Sequence, residues 1–324
     1  MCTAISVTVK DHYFGRNLDY EHTFGEKVTI TPRNYPFVFR NGKEIKSHYA
    51  IIGMALPYDN YPLYFDATNE TGLSIAGLNF PGNAKYMKNM QGRDNVASFE
   101  FVPWILTQCK NVSDAEKLID TINITDEAFN SQMPPSPLHW IIADKEQAIT
   151  VESVEEGLKI YDNNVGVLTN NPSFPMQMFN LNNYMGLSPM PPRNTFAPVI
   201  KLDVYSRGMG AIGLPGDVSS QSRFVRAAFT KLNSVSDPDE KSSVGQFFHI
   251  LGSVEQTRGC CALENGGYEI TVYTSCCNAD KGIYYYTTYN NRQITAVDMH
   301  RTDLDSNELI SYPLVNEEQI VYIN

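Results

Sequence analysis

The chain opens with MCTAISVTVKDHYFGRNLDY, residues 1–20. Apolar and polar side chains alternate over residues 3–9, which is the period of a β-strand, and residues 13–18 resume the strand after a polar turn at 10–12. We therefore predict a β-hairpin at the start of the protein. Because the second strand runs back along the first, residues 15–19 are expected to lie beside Cys2.

Short strands and a few helices make up the rest of the predicted chain. We predict strand pairs at 63–67 with 73–80, turned at Gly72, at 139–143 with 148–152 and at 158–161 with 165–169, then strands at 269–274, 283–289 and 294–299. Helical patterns cover 98–109, 114–122, 219–232 and 243–254, the second started by a capping box of Ser113 and Glu116. At least eight antiparallel strands with helices in two groups indicate antiparallel sheets covered by helices, an α+β fold.

The region 183–216 contains five Pro and little periodicity, which is typical of a functional segment or an interaction arm. We find no internal repeat and no second core with a composition of its own on either side of this arm. A single domain over 1–324 is therefore predicted.

The composition is 42% hydrophobic and 19% charged, with 21 Gly and 18 Pro in 324 residues, and it describes a folded chain that buries a substantial core. It excludes disorder, collagen and small disulfide scaffolds. A net charge of −11 repels phosphate backbones and anionic lipid heads, so neither nucleic acid nor a membrane surface is a predicted partner. Apolar runs stay well short of the roughly 20 residues of a membrane-spanning helix, and no signal peptide is recognisable. We expect a soluble cytoplasmic protein without membrane insertion.

Six cysteines stand at positions 2, 109, 260, 261, 276 and 277, and in a cytoplasmic chain we expect them to be reduced thiols. The adjacent pairs at 260–261 and 276–277 lack the usual two-residue gap of metal ligands, so buried apolar thiols are predicted there. The run at 208–213 spells a dinucleotide-binding fingerprint but lacks the strand and helix that such a motif needs. We therefore predict no metal and no cofactor.

Cys2 differs from the other five because it follows Met1 directly. Initiator Met is generally trimmed before a small residue, and the mature chain is then expected to begin with a cysteine. A free α-amine titrates at about 7.7–8.0 and a free thiol at about 8.5, so the amine of an N-terminal cysteine can serve as base for its own side chain. A guanidinium at Arg16 favours thiolate, and a carboxylate at Asp19 holds the amine. The alternatives are an ordinary cysteine after Met1 and a surface Arg/Asp pair of little energetic weight.

Five motifs together resemble the choloylglycine hydrolases, the family of bile salt hydrolases and penicillin V acylases within the N-terminal-nucleophile hydrolases. They are Met-Cys-Thr at 1–3, Gly-Arg-Asn-Leu-Asp at 15–19, Gly-Leu-Asn-Phe at 77–80, Leu-Thr-Asn-Asn-Pro at 168–172 and Leu-Pro-Gly-Asp-Val-Ser-Ser-Gln-Ser-Arg-Phe at 214–224. The similarity runs the full length of the chain with the motifs in the expected order. The resemblance implies a four-layer αββα sandwich of two antiparallel sheets.

The resemblance also implies roles for individual residues. Cys2 attacks the amide carbonyl after Met1 is lost, Arg16 lies beside the sulfur, and Asp19 contacts the amine. Asn170 donates its side-chain amide to the oxyanion together with the main-chain N–H of Asn79. Arg223 adds positive charge to the site. Asn171 and Arg226 remain the alternatives for the last two positions, since Asn-Asn-Pro is also a common turn and both arginines could be solvated helix residues.

Asparagine at 79 points, through the resemblance, to conjugated bile acids cleaved to a free bile acid plus glycine or taurine. A steroid acid needs a largely apolar pocket with few placed polar groups, and the candidate pocket residues are Tyr20, Phe65, Phe129 and Met133. The arm at 183–216 matches a region that reaches across subunits in the family, so a homotetramer is expected.

Three other functions stay open at this point. One is a penicillin V acylase of the same family. Another is a glutamine amidotransferase domain, which also uses an N-terminal cysteine but needs a partner synthase for which this chain has no room. The third is a non-catalytic binder of amphipathic ligands.

Overall fold

The computed structural model describes residues 1–264 and 266–324. Its first nine strands are β1 (Cys2–Thr8), β2 (His12–Tyr20), β3 (Lys27–Thr31), β4 (Phe37–Val38), β5 (Glu44–Ile45), β6 (Ile51–Tyr58), β7 (Tyr61–Asn69), β8 (Ser74–Asn79) and β9 (Asp94–Ala97). The later strands are β10 (Ile122–Thr125), β11 (Leu138–Ala143), β12 (Ala148–Val154), β13 (Gly157–Asp162), β14 (Val167–Leu168), β15 (Ile270–Asn278), β16 (Ile283–Thr288), β17 (Asn291–Asp298) and β18 (Ile310–Pro313). The α-helices are α1 (Phe101–Leu106), α2 (Val112–Ile119), α3 (Phe174–Asn180), α4 (Ser220–Asn233) and α5 (Glu240–Gly252).

Two large antiparallel sheets form the centre of the molecule. The first has the order β14-β1-β2-β15-β16-β17, and the second has the order β13-β12-β11-β8-β7-β6-β3-β18. Helices α4 and α5 contact the first sheet through β1, β2 and β15, while α1 contacts β7 and β8 of the second. This layering is the predicted αββα sandwich, and the α+β class is confirmed.

The predicted opening hairpin is present, and its register places the residues that matter later. Cys2 pairs with Leu18 and Ala4 with Arg16. Since residues directly opposite each other share a face, all four side chains point to the same side of the first sheet. Arg16 shows which side this is, because its guanidinium reaches main-chain oxygens of the second sheet.

The opposite face of the hairpin looks toward the helices. Asn17 donates its side-chain amide to the carbonyl of Leu251 in α5 at 3.0 Å. Gly15 allows β15 to approach β2 closely, because a Cβ at this position would overlap the carbonyl of Ser275. Glycine is therefore required here by packing.

Two apolar clusters hold the layers together. One lies along the first sheet and reaches both the inner face of the second sheet and helices α4 and α5. The other lies between the outer face of the second sheet and helices α1 and α2, and it contains the fully buried Trp104 and Trp140. Burial of aromatic side chains of this size is a large part of the stabilisation of such a layer.

The predicted hairpin of 158–161 with 165–169 is wrong. β13 pairs with β12 in the second sheet, whereas β14 pairs with β1 in the first. The side chain of Asn163 fixes the crossing between them by donating to Thr150 Oγ1 and to the carbonyl of Val167, both at 3.0 Å. This crossing carries the following residues, including Asn170, from one sheet to the other.

The predicted helices differ from the structure mainly at their starts. The pattern at 98–109 divides into a 3-10 turn at Ser98–Glu100 and α1. The Ser113 capping box is wrong, because Asn111 is the N-cap of α2 and accepts from the main-chain N–H of Asp114. α4 and α5 occupy the predicted regions. Helix α3 and strands β3 and β6 were not predicted, since their short apolar runs carry no clear period.

Two 3-10 turns lie in or at the start of the arm at 183–216. They are Leu181–Tyr184 and Met209–Ala211. It exposes large apolar side chains, among them Met185, Phe196, Val199 and Tyr205. Across residues 1–264 and 266–324, no helix combines the length and apolarity needed to cross a bilayer.

All six cysteines are free thiols. Cys276 and Cys277 are buried in β15 as predicted, but Cys260 is exposed and Cys261 half-buried, so the prediction for that pair is wrong. The reason is that 260–261 lie in a surface turn between α5 and β15 and not in a strand. The described part of the chain contains no group of three or more His, Cys, Asp or Glu side chains that could hold a metal ion.

Candidate active site

Six polar or ionisable residues from distant parts of the chain surround the start of β1. They are Cys2 on β1, Arg16 and Asp19 on β2, Asn79 at the end of β8, Asn170 just after β14 and Arg223 on α4. Cys2 is 5% exposed, and Arg16, Asp19 and Arg223 are exposed by 1% or less. Each strand or helix contributes its terminal or inward-facing residue, so rigid elements fix the arrangement.

Asn170 and Arg223 enclose the main chain of Cys2. The N–H of Cys2 donates to Asn170 Oδ1 at 2.8 Å, and Arg223 Nη2 donates to the same oxygen at 2.8 Å. Arg223 Nη1 donates to the carbonyl of Cys2 at 2.5 Å and to Thr3 Oγ1 at 2.7 Å. The fork of donors on one planar guanidinium suits this double contact.

The neighbouring candidates point elsewhere. Asn171 donates to the carbonyl of Pro81 at 2.7 Å, and Arg226 donates to the carbonyl of Gly216 at 3.0 Å. Asn170 and Arg223, and not Asn171 and Arg226, therefore contact Cys2.

Asn170 also links the two sheets at the site. Its Nδ2 donates to the carbonyl of Asn79 at 2.7 Å, while its own main-chain N–H donates to Ser220 Oγ at 2.8 Å. The amide group has two hydrogens, and one of them is used on Asn79. The structure thus brings Asn79 and Asn170 together beside Cys2.

Arg16 lies diagonally across the hairpin from Cys2, on the same face of the sheet. Its Nη1 donates to the carbonyls of Phe65 and Gly77, at 3.0 and 2.5 Å. Burial alone lowers the pKa of this guanidinium, but its interactions with Cys2, Tyr273, Asp66 and Asp19 raise the pKa above its ordinary value. Arg16 is therefore a permanent positive charge inside the protein.

Asp66 is a buried carboxyl whose charge acts on Arg16. It is 1% exposed and accepts hydrogen bonds from the hydroxyls of Tyr273 and Tyr284, both at 2.6 Å, and from Ser275 Oγ at 3.1 Å. A fully hydrogen-bonded carboxylate offsets part of the cost of burying the guanidinium.

Asp19 is placed on the other face, close to Arg223. Its Oδ1 accepts from Thr271 Oγ1 at 2.6 Å, and its Oδ2 lies 3.9 Å from Arg223 Nη1. Burial raises the pKa of this carboxyl, opposed by the charges of Arg223 and the N-terminus. For Arg223, burial lowers the pKa, opposed by the charges of Asp19 and Cys2.

Met1 extends β1 by one residue and carries the terminal amine of this chain. Its ammonium donates to the main-chain carbonyl of Asp19 at 2.7 Å and forms an ion pair with Glu269. The carboxylate of Asp19 was expected to contact the amine of a mature chain, but with Met1 in place the contact uses the main chain of Asp19. Thr271 and Glu269 were missed because β15 was not predicted to lie beside β2.

The four pocket candidates fall into two groups. Tyr20 and Phe65 belong to an aromatic cluster around Phe24, with ring centroids 4.8 and 5.6 Å from it, and the carbonyl of Phe65 holds Arg16. Both side chains pack against the apolar cluster that contains Cys2.

Phe129 and Met133 belong to a different part of the molecule. Phe129 contacts Tyr61 and Phe99, with centroids 5.8 and 5.2 Å apart, beneath the guanidinium of Arg40. The main-chain N–H of Phe129 donates to the carbonyl of Met133 at 3.1 Å. Their loop approaches the site at Pro137, whose carbonyl accepts from Phe80 N–H at 2.7 Å.

Comparison with known proteins gives one consistent result. The profile of the family described as linear amide C–N hydrolases, choloylglycine hydrolase family, matches residues 2–312. A bile salt hydrolase/transferase of Lactiplantibacillus plantarum is 56% identical over 324 residues, covering 100% of both chains. A conjugated bile acid hydrolase of Lactobacillus gasseri is 40% identical over 96% of this chain and 100% of its own.

Solved structures show the same likeness. A mutant conjugated bile acid hydrolase from Clostridium perfringens superposes with a TM-score of 0.93 at 37% identity, covering 100% of both chains. A penicillin V acylase from Agrobacterium tumefaciens superposes with a TM-score of 0.76 at 17% identity, over 99% of this chain and 94% of its own, which shows a shared fold.

Proposed function

The chain belongs to the choloylglycine hydrolase family of linear amide C–N hydrolases, and from this we propose that it hydrolyses the amide bond of glycine- or taurine-conjugated bile acids. The products are the free bile acid and the amino acid. The observation that carries the proposal is the enclosure of Cys2 by Asn170 and Arg223, in a chain 56% identical to a bile salt hydrolase/transferase.

Cys2 is the proposed nucleophile, once loss of Met1 has freed its amine. The sulfur attacks the amide carbonyl carbon, and the thiol proton passes to the α-amine. When the C–N bond breaks, the resulting ammonium returns that proton to the departing amino acid, leaving a thioester. A water molecule then attacks the thioester, the same amine takes its proton, and the sulfur departs as the thiol.

Asn170 and Asn79 are the proposed donors to the oxyanion of both tetrahedral intermediates. The second hydrogen of Asn170 Nδ2 and the main-chain N–H of Asn79 supply the two hydrogen bonds, since Asn170 Nδ2 is already fixed 2.7 Å from the carbonyl of Asn79. Each donor held in place before the reaction stabilises the transition state by a few kcal/mol, about 3 kcal/mol in typical cases.

The charged residues have separate proposed roles. Arg16 favours the thiolate of Cys2 from the same face of the sheet, and Arg223 fixes the main chain of Cys2 from the helix side. Asp19 orients the mature amine from its buried position beside Arg223. Two guanidinium groups also suit a substrate whose glycine or taurine end is an anion.

The steroid body is proposed to lie against Tyr20 and Phe65, with Phe129 and Met133 forming a more distant wall of the pocket. The aromatic contacts of Tyr20 and Phe65 with Phe24, and their packing against the apolar cluster that contains Cys2, support the first pair. Penicillin V hydrolysis is the competing activity within the family, and non-catalytic binding of amphipathic ligands is the competing role on the same scaffold. Asparagine at position 79 favours bile salts over the penicillin.

Amine transfer is a second candidate activity of the same site. The Lactiplantibacillus plantarum relative is named a hydrolase/transferase, and a thioester at Cys2 can be attacked by an amine as well as by water. Attack by an amine gives an amide of the bile acid and regenerates the thiol.

Three properties of the whole chain are also proposed. It works as one hydrolase domain, supported by the family match over 2–312 and by an apolar cluster that spans both sheets. It assembles as a homotetramer through the arm at 183–216, supported by the exposed apolar side chains of that arm. It acts in the cytoplasm, supported by its six free thiols.

The deciding experiment measures amino-acid release from glycocholate, taurocholate and penicillin V by the wild type and by Cys2→Ala. We expect release from the bile salts by the wild type and loss of nearly all of it in the variant. Faster turnover of penicillin V would assign the competing acylase activity, and binding of bile salts without release would assign a non-catalytic role.

A further inference from the structure

Two fully buried ionisable residues lie directly behind Asn170 and have no role in the reaction steps above. His139 on β11 and Glu152 on β12 are both 0% exposed. His139 Nδ1 lies 3.2 Å from Glu152 Oε1. Ionisable groups are costly to bury, and well-packed apolar side chains are often as stable in such places, so this pair needs a reason.

The hydrogen bonds of His139 fix where its protons are. Its Nε2 lies 2.9 Å from the carbonyl oxygen of Thr169, and because a carbonyl only accepts, Nε2 must donate. Its Nδ1 faces a carboxylate oxygen, so one proton lies between Nδ1 and Glu152. Both contacts of the His139 ring are then hydrogen bonds.

Glu152 extends the pair to the far side of the Asn170 loop. The same Oε1 accepts from the main-chain N–H of Phe174 at 2.8 Å. Thr169 precedes Asn170 directly, and Phe174 begins helix α3 four residues later. The His139–Glu152 pair therefore holds the loop 169–174 at both ends.

His139 also reaches the other proposed oxyanion donor. Its ring stacks on Phe80 with centroids 4.2 Å apart and an interplanar angle of 5°. Phe80 follows Asn79, and the carbonyl of Asn79 accepts from Asn170 Nδ2. One imidazole thus contacts the residue next to each of the two donors.

We propose that His139 and Glu152 are a positioning pair that sets the separation of Asn170 and Asn79, and hence the geometry of the oxyanion site, without touching the substrate. The inference rests on the proposed function, because it assigns the pair to the tetrahedral intermediates of that reaction. A misplacement of about 1 Å at such donors lowers the rate roughly 100-fold.

The test compares His139→Phe with wild type for glycocholate hydrolysis and for alkylation of Cys2 by iodoacetamide. Phenylalanine keeps a ring against Phe80 but loses both hydrogen bonds. We expect kcat to fall roughly 10- to 100-fold while KM stays within about threefold, since substrate binding does not use the oxyanion donors. Alkylation is a displacement without an oxyanion, so its rate should stay within about threefold of wild type.

Two companion variants and a control make the result specific. His139→Gln places an amide nitrogen where it can donate to the Thr169 carbonyl, so this variant should recover most of the lost kcat. Glu152→Gln tests the pair if His139→Phe does not fold. His12→Phe is the matched control, because His12 is also a buried histidine, with Ser6 Oγ 2.9 Å from its Nε2, at the opposite end of the hairpin from Cys2. It should lower the unfolding temperature without changing kcat.

The outcomes separate the two proposals. Wild type that releases no amino acid from bile salts overturns the proposed function and, with it, the role of the pair. If the wild type is active, two results would overturn the role of the pair alone. One is that His139→Phe, or Glu152→Gln in its place, keeps kcat within about twofold of wild type. The other is that kcat and the alkylation rate fall together.

Discussion

The main-chain N–H of Cys2 donates to Asn170 Oδ1 at 2.8 Å across 168 residues of sequence. The same amide group donates from Nδ2 to the carbonyl of Asn79, so one side chain joins the proposed nucleophile to the proposed oxyanion site. Loss of this amide removes a contact to each of them.

Asn170→Ala should lower kcat for glycocholate by roughly 10²- to 10³-fold, because it removes a preorganised donor and releases the main chain of Cys2. Asn171→Ala is the matched control, since its amide donates to the carbonyl of Pro81. Steady-state kinetics of both variants check the prediction. Equal losses in the two variants would remove Asn170 from the proposed site.

Arg223→Lys should cost about 3 kcal/mol of unfolding free energy, because one ammonium cannot replace the fork that bonds Cys2, Thr3 and Asn170 inside the protein. Arg226→Lys, whose partner is the surface carbonyl of Gly216, should change it by less than about 1 kcal/mol. Urea unfolding at neutral pH measures both. A stable Arg223→Lys variant would contradict the structural role of this arginine.

Gly15→Ala should destabilise the chain by about 3 kcal/mol or more, because a Cβ there would overlap the carbonyl of Ser275 on the adjacent strand. Gly245→Ala in α5 should instead stabilise it by about 0.5–1 kcal/mol, since no atom lies within 4 Å of the added Cβ and alanine favours helix. Thermal unfolding of the two variants should shift in opposite directions. An unchanged or raised unfolding temperature in Gly15→Ala would show that the hairpin packing is looser than described.

Glu100 should make stability depend on pH. Burial raises the pKa of its carboxyl to about 7, above the ordinary value of 4.5, although it accepts from the N–H groups of Arg40 and Ala97. A carboxyl whose pKa is higher in the folded state stabilises the fold below the unfolded pKa, and this contribution is lost as pH rises through the folded value. Between pH 4.5 and 7 the loss amounts to roughly 3 kcal/mol.

Glu100→Gln removes this titration, so the difference in unfolding free energy between wild type and variant should change across that pH range. Urea titrations at several pH values measure the difference. A constant difference would show that burial leaves the pKa of Glu100 at its unfolded value.

The sequence alone is enough to predict the hairpin of β1 and β2, because a strict alternation of polar and apolar side chains fixes both the strands and their register. It therefore placed residues 15–19 beside Cys2. The crossing at Asn163 could not be predicted, because a short run before a Gly turn suits a local hairpin as well as a change of sheet. Its outcome depends on the hydrogen bonds of Asn163 to Thr150 and Val167.

The candidate site was predicted from motifs, and the structure brings those residues together from five separate elements. The residues that support them were missed, including Ser220, Thr271 and the His139–Glu152 pair. Their side chains are ordinary in sequence, and only the pairing of strands and the packing of α4 bring them to the site. The separation of Phe129 from Tyr20 was missed for the same reason, since loop positions carry no period.

The free amine of Cys2 is the proposed base of the reaction, and a chain that carries further residues in front of Cys2 tests this role. A fusion protein with a protease site immediately before Cys2 is assayed for glycocholate hydrolysis before and after cleavage, with intact mass and unfolding temperature recorded for both forms. Because an amide nitrogen cannot take the proton, we predict at least roughly 10³-fold lower activity in the uncleaved form and full activity after cleavage, with both forms folded. An uncleaved, folded chain that hydrolyses glycocholate at the rate of the cleaved chain would contradict the account.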